Sequence, residues 1–79
     1  MSKLKFLLIK TLGLSENSFS SSISIKNCDE WDSASHMMII VEIEKIFKTR
    51  LKENEIVKMT SYANILKVLK KKKIKNLWK

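Results

Sequence analysis

The residues best placed to do chemistry in this chain are Asp32 and Ser33, at the junction of a loop and a long apolar-periodic segment. Asp is a good N-cap, because its carboxylate accepts unpaired amide hydrogens of a first helical turn. Ser33 is then the first helical position, with its hydroxyl outward beside the positive end of the helix dipole, where an attached anion is favoured. Ser35 is the nearest rival nucleophile, but it lies about 200° around the helix from Ser33 and lacks a preceding Asp. His36, three residues after Ser33, is within helical reach of it. When protonated it is a candidate contact for a phosphate there, although packing is the plainer role. Cys28 reads as structural. With one His and one Cys the chain is not expected to hold zinc. No further set of nucleophile, base and oxyanion donor is present.

The element that must carry Ser33 is a helix over 33–48. Ile39, Ile40, Ile43, Ile46 and Phe47 recur at the spacing of a buried face. Its β-branched run has low intrinsic propensity, so tertiary packing must hold it. A first helix is expected over 2–13, with Leu4, Leu7, Leu8 and Leu12 inward, Lys3, Lys5 and Lys10 largely opposite, Ser2 as a cap and Gly13 as the stop. Residues 15–32 read as a long Ser/Asn-rich loop pinned by Phe19, Ile23 and Ile25. The alternation Ile23-Ser24-Ile25 also suits a short strand, for which no partner strand is visible. A short helix is expected over 53–58, with Glu53 and Glu55 in its first turn. Ser61 then caps a last helix presenting Tyr62, Ile65, Leu66 and Leu69 on one face. Beyond Leu69 it can run on into the lysines, while Ile74, Leu77 and Trp78 fall on another face. The fold class is all-α.

Composition supports this. Seventy-nine residues make one small domain, 44% of them hydrophobic, with one Gly and no Pro. That disfavours a turn-rich β fold and a disordered chain. A lone cysteine forms no internal disulfide, so a reducing, cytoplasmic setting is expected. Neither a signal peptide nor a membrane span is expected, since Lys10 interrupts the short run Phe6-Leu7-Leu8-Ile9. The net charge of +8 is unevenly spread. Residues 28–44 carry Asp29, Glu30, Asp32, Glu42 and Glu44 with no Lys or Arg, and residues 67–79 carry seven lysines and no acid. Acidity is concentrated around Ser33.

The stretch Trp31-Asp32-Ser33-Ala34, followed by Met37-Met38-Ile39-Ile40-Val41-Glu42-Ile43-Glu44-Lys45-Ile46-Phe47, resembles the acyl (and peptidyl) carrier protein family. That family has Asp-Ser-Leu at the start of its second helix and Leu-Glu-Glu-x-Phe at its end. Leu12-Gly13-Leu14 is similar to the end of the family's first helix. Residues 51–61 look like its short third helix and the Thr/Ser turn opening the fourth, so the likeness covers roughly residues 3–69. It implies a small antiparallel four-helix bundle, with three main helices, a short third one and a long loop after the first. Residues 1–69 would form the bundle and 70–79 a basic extension. It further implies that Ser33 receives 4′-phosphopantetheine from coenzyme A through a magnesium-dependent phosphopantetheinyl transferase. The arm then bears an acyl or aminoacyl group as a thioester for loading enzymes, acyltransferases and condensing enzymes. On this reading the chain is a carrier and not an enzyme. Asp32 would be both cap and neighbour of the modifying enzyme's metal. Ala34, Met37 and Val41, with Glu42 and Glu44 at their flanks, would form the partner-docking face. Two departures stand out. Ala34 replaces the usual Leu, and Lys48-Thr49-Arg50 stands where the family has a Gly in the turn after helix two.

The basic charge leaves two other classes in view. A nucleic-acid-binding module predicts Lys and Arg gathered on a groove-facing helix, whereas here lysines are spread along exposed faces, which disfavours nucleic acid as a partner. Contact with an anionic membrane through Lys70, Lys71, Lys72 and Lys73 is compatible with carrier activity.

Overall fold

Apolar stripes and end signals define each helix. The computed structural model describes residues 3–72, and the expectations for Ser2, Ile74, Leu77 and Trp78 lie outside them. Helix α1 runs Lys3–Leu12 and buries Leu4, Leu7, Leu8 and Leu12. Gly13, at φ 68°, closes it: the Leu14 amide donates to the Ile9 carbonyl (3.0 Å) and the Gly13 amide to that of Lys10 (3.4 Å). This is the two-bond pattern of a left-handed helix stop.

Helix α2 runs Ser33–Ile46, and α1 packs against it. Ile39, Ile40 and Ile43 are buried, and Phe47 packs partly against the same core. Ile46 departs from the expected buried face: it is 40% exposed, because it stands about 60° around the helix from Ile43, toward the outer edge of the stripe. The turn after α2 takes the left-handed conformation without glycine. Lys48 has φ 51°, and the Thr49 amide donates to the Glu44 carbonyl at 3.2 Å.

Helix α3 is a single turn, Glu53–Ile56, two residues shorter than expected. Helix α4 runs Tyr62–Lys71 behind the Ser61 cap, whose hydroxyl accepts from the Asn64 amide at 3.1 Å. Tyr62, Ile65, Val68 and Leu69 are its buried residues, with Leu66 partly covered. Val68 joins the face expected from sequence. The helix passes residue 69, and Lys72 turns back to pair with Glu55 at 3.0 Å.

The segment between α1 and α2 is ordered by its own side chains and by α4. It contains one 3-10 turn, Glu16–Ser18, capped by Ser15. Ile23 is buried, Phe19 and Ile25 pack on the core, and Phe19 meets Tyr62 edge-on at 5.2 Å. The extended pair sought for Ile23-Ser24-Ile25 is the backbone just before α4. The Ile25 amide donates to the Thr60 carbonyl (2.9 Å) and the Tyr62 amide to that of Ile23 (3.0 Å). A loop of this length can therefore sit in a small domain with its backbone groups partnered. The described residues form an all-α fold with no strand, and none of their helices is long and apolar enough to cross a membrane.

Candidate functional site

Ser33 is the first residue of α2, and it is exposed. Two devices hold this helix start. The first is the cap: the Asp32 carboxylate accepts from the Ser35 amide at 2.8 Å, with Asp32 in extended backbone. The Ser35 amide and then its hydroxyl hold the Asp32 carboxyl below the usual carboxylate range. Ser35 is thus engaged in the cap, in keeping with its reading as the lesser nucleophile.

The second device went unread in the sequence. Trp31 is 1% exposed and is among the largest side chains of the core. Its indole N–H donates to His36 Nδ1 at 3.1 Å, and the two rings lie stacked at 6.2 Å and 27°. His36 Nε2 lies 3.0 Å from the Ile56 carbonyl. Indole nitrogen can only donate, so Nδ1 must be the acceptor. The ring proton then sits on Nε2 and is donated to Ile56. His36 therefore joins the loop before α2 to the end of α3 and is committed through both nitrogens. It is a positioning residue of the helix tip, in keeping with the plainer packing role, and both nitrogens being engaged leaves none for a phosphate in this arrangement. The signal was present: Trp31 precedes the cap and His36 is the fourth helical residue, the spacing of a hydrophobic staple.

Among the described residues the Ser33 hydroxyl makes no hydrogen bond. The ionisable side chains nearest in sequence are turned to other partners. Asp32 caps, His36 bridges, and Glu30 accepts from the Cys28 thiol at 3.5 Å. Burial, and then Glu30, push that buried thiol up, so Cys28 is poorly suited to serve as a thiolate. What the tip offers is an exposed hydroxyl at a helix N-terminus without a base of its own. Such a group is available to a visiting enzyme's base.

The expected docking residues divide. Met37 (51%) and Val41 (45%) are exposed, as is Ala34, and with Met38 and Glu42 the first two line a shallow depression of about 290 Å³. Met37 is therefore a surface residue, not a core one. Glu44 is not part of this depression. It is half-buried, and its carboxylate accepts from the Leu51 amide at 2.9 Å, tying down the turn that follows α2. The apolar face extends beyond the residues expected from sequence: Met38 (57%) and Ile46 continue it to Phe6 (57%) on α1, with Glu42 and Lys10 lining the same depression. No group of three His, Cys, Asp or Glu among the described residues is arranged to hold a metal ion.

No model of a known protein family matches the chain, and no curated protein matches it in sequence.

Proposed function

We propose that this chain is a carrier protein of the acyl carrier type: a small antiparallel four-helix bundle whose Ser33 bears a 4′-phosphopantetheine arm. The observation that supports this most directly is the state of the Ser33 hydroxyl, exposed and base-free at the start of a capped and stapled helix. Catalysis by a serine needs a neighbouring base; serving as an attachment point does not. The helix N-terminus suits the phosphodiester that attachment would leave there, and exposure suits access by a phosphopantetheinyl transferase. When bound, the arm supplies a thiol that holds an acyl or aminoacyl group as a thioester. The chain's own part is to hold the attachment point still, through Asp32, Trp31 and His36. It also shows visiting enzymes the apolar face of Met37, Met38 and Val41, with the charge of Glu42 beside it. Those visitors are the loading, acyl-transferring and condensing enzymes of a specialised biosynthetic route in the cytoplasm.

The test is intact-mass spectrometry after incubation with coenzyme A and a broad-specificity phosphopantetheinyl transferase. The expected result is a gain of one phosphopantetheine, placed on Ser33 by fragmentation, absent in Ser33→Ala and retained in Ser35→Ala. A folded wild-type chain that stays unmodified, or a Ser33→Ala chain that gains the group, would overturn the reading.

A further inference from the structure

We infer that the outer face of α4, with the turn after α3, is a docking surface for an anionic lipid bilayer. This rests on the charge and shape of that face and is independent of the carrier reading. Lys67, Lys70 and Lys71 lie along one exposed side of α4, and Lys58 reaches the same side from the turn before it. With Asn64 and Val68 they line an open cleft of about 570 Å³, and no carboxylate is among its lining residues. Apart from Asn64 the lining is hydrocarbon, the outer edge of Val68 and the lysine stems, rimmed by ammonium groups. Glu55, the acid close to this end of α4, is already paired with Lys72.

The lining residues favour a bilayer over nucleic acid. Binding of single strands uses aromatic platforms for the bases, and base readout relies on forked donors such as Arg. None of Phe6, Phe19, Trp31, Phe47, Tyr62 or Arg50 lines the cleft. Lysine is a mobile point charge, suited to a fluid field of phosphates with no fixed geometry. Val57, next to Lys58 in sequence, is an apolar side chain 65% exposed. The acids Asp29, Glu30 and Asp32 beside Ser33 would be repelled by the same surface that attracts α4.

The experiment measures binding of the full chain to mixed phosphatidylglycerol–phosphatidylcholine vesicles and to phosphatidylcholine vesicles alone. The expected result is binding to the anionic vesicles only, weakening as salt is raised. A surface lysine near such a membrane contributes about fivefold in affinity, so K58Q/K67Q/K71Q should bind on the order of a hundredfold more weakly. Circular dichroism should show its helices unchanged, since all three side chains are exposed. Equal binding to neutral vesicles, full-strength binding by K58Q/K67Q/K71Q, or a loss confined to K73Q/K75Q/K79Q would overturn the assignment of this face. So would tighter binding of a single-stranded oligonucleotide at the same salt.

Discussion

Replacing His36 with Ala should cost far more than a half-exposed histidine ordinarily does. The substitution strips the acceptor from the Trp31 indole N–H, which is buried and bonds only to His36 among the described residues. A buried donor left unsatisfied costs about 1–3 kcal/mol. The Ile56 carbonyl loses its imidazole donor as well, worth roughly 0.5–1.5 kcal/mol net because water can replace part of it. Together the expected loss is about 2–4 kcal/mol, a large share of what a domain of this size holds. Urea unfolding followed by circular dichroism would read it as a lower midpoint at unchanged slope. Trp31→Phe supplies the control, since phenylalanine has no N–H to strand. In that background His36→Ala should cost less by about 1 kcal/mol or more, the signature of a coupled pair. Gln at 36 keeps a donor and an acceptor and should recover part of the loss. If His36→Ala lies within about 0.5 kcal/mol of the parent, a size typical of neutral surface changes, or costs the same with Phe at 31, the bridge does not hold the helix tip.

The remaining predictions concern the other ends and caps. Gly13 and Lys48 occupy the same left-handed backbone region with opposite chemistry, so exchanges there should have opposite signs. Gly13→Ala has open space for its methyl and should destabilise by about 1–2 kcal/mol through backbone strain alone. Lys48→Gly should stabilise by roughly 0.5–1 kcal/mol, the relief of strain being partly offset by the looser unfolded chain; calorimetry would separate the two. Asp32 and Glu55 are both held below the usual carboxylate range, Asp32 by the Ser35 amide and hydroxyl, Glu55 by the Lys52 amide and then Lys72. A depressed carboxyl contributes stability that is present above its unfolded value, near pH 4, and lost as pH falls through the folded one. The acid limb of a stability–pH curve should therefore flatten in Asp32→Asn and in Glu55→Gln, with little change in slope above pH 6; an acid limb as steep as the parent's would show that these two carboxylates do not set it.

Local signals carried most of the fold into the sequence, and tertiary ones account for what was missed. Leucine spacing, Gly13, Asp32 and Ser61 each act within one helical turn, so α1 and the starts of α2 and α4 were readable. The left-handed turn at Lys48 was not, because lysine has no preference for it; the hydrogen bond from Thr49 to Glu44 and that from Leu51 to the Glu44 carboxylate hold it there. Ile46 matched the apolar period and yet faces out, since period alone does not say where a stripe ends. Trp31 was legible as a motif residue but not as a core residue, and His36 was legible as a packing residue but not as the holder of two hydrogen bonds. In the candidate site the hydroxyl was readable from its cap, whereas the bridge to Ile56 joins residues twenty apart and has no local trace.

The exposed apolar residues lend further weight to the proposed role of Ser33. Burying one such side chain is worth about 1.5–3 kcal/mol, and a domain this small has few to spare. Yet Met37, Met38, Val41, Ile46 and Phe6 all stay exposed, and they are not scattered. They run from the first turns of α2 across Glu42 to α1, beginning within four residues of Ser33. Contiguous exposure of this kind marks a surface that is covered some of the time. A partner that must reach the hydroxyl approaches over this face, and methionine adapts its shape to more than one partner. The features that give no stability to the fold, a serine hydroxyl without a hydrogen bond among the described residues and an uncovered stripe, therefore meet on α2, and a carrier visited by several enzymes would have a use for both.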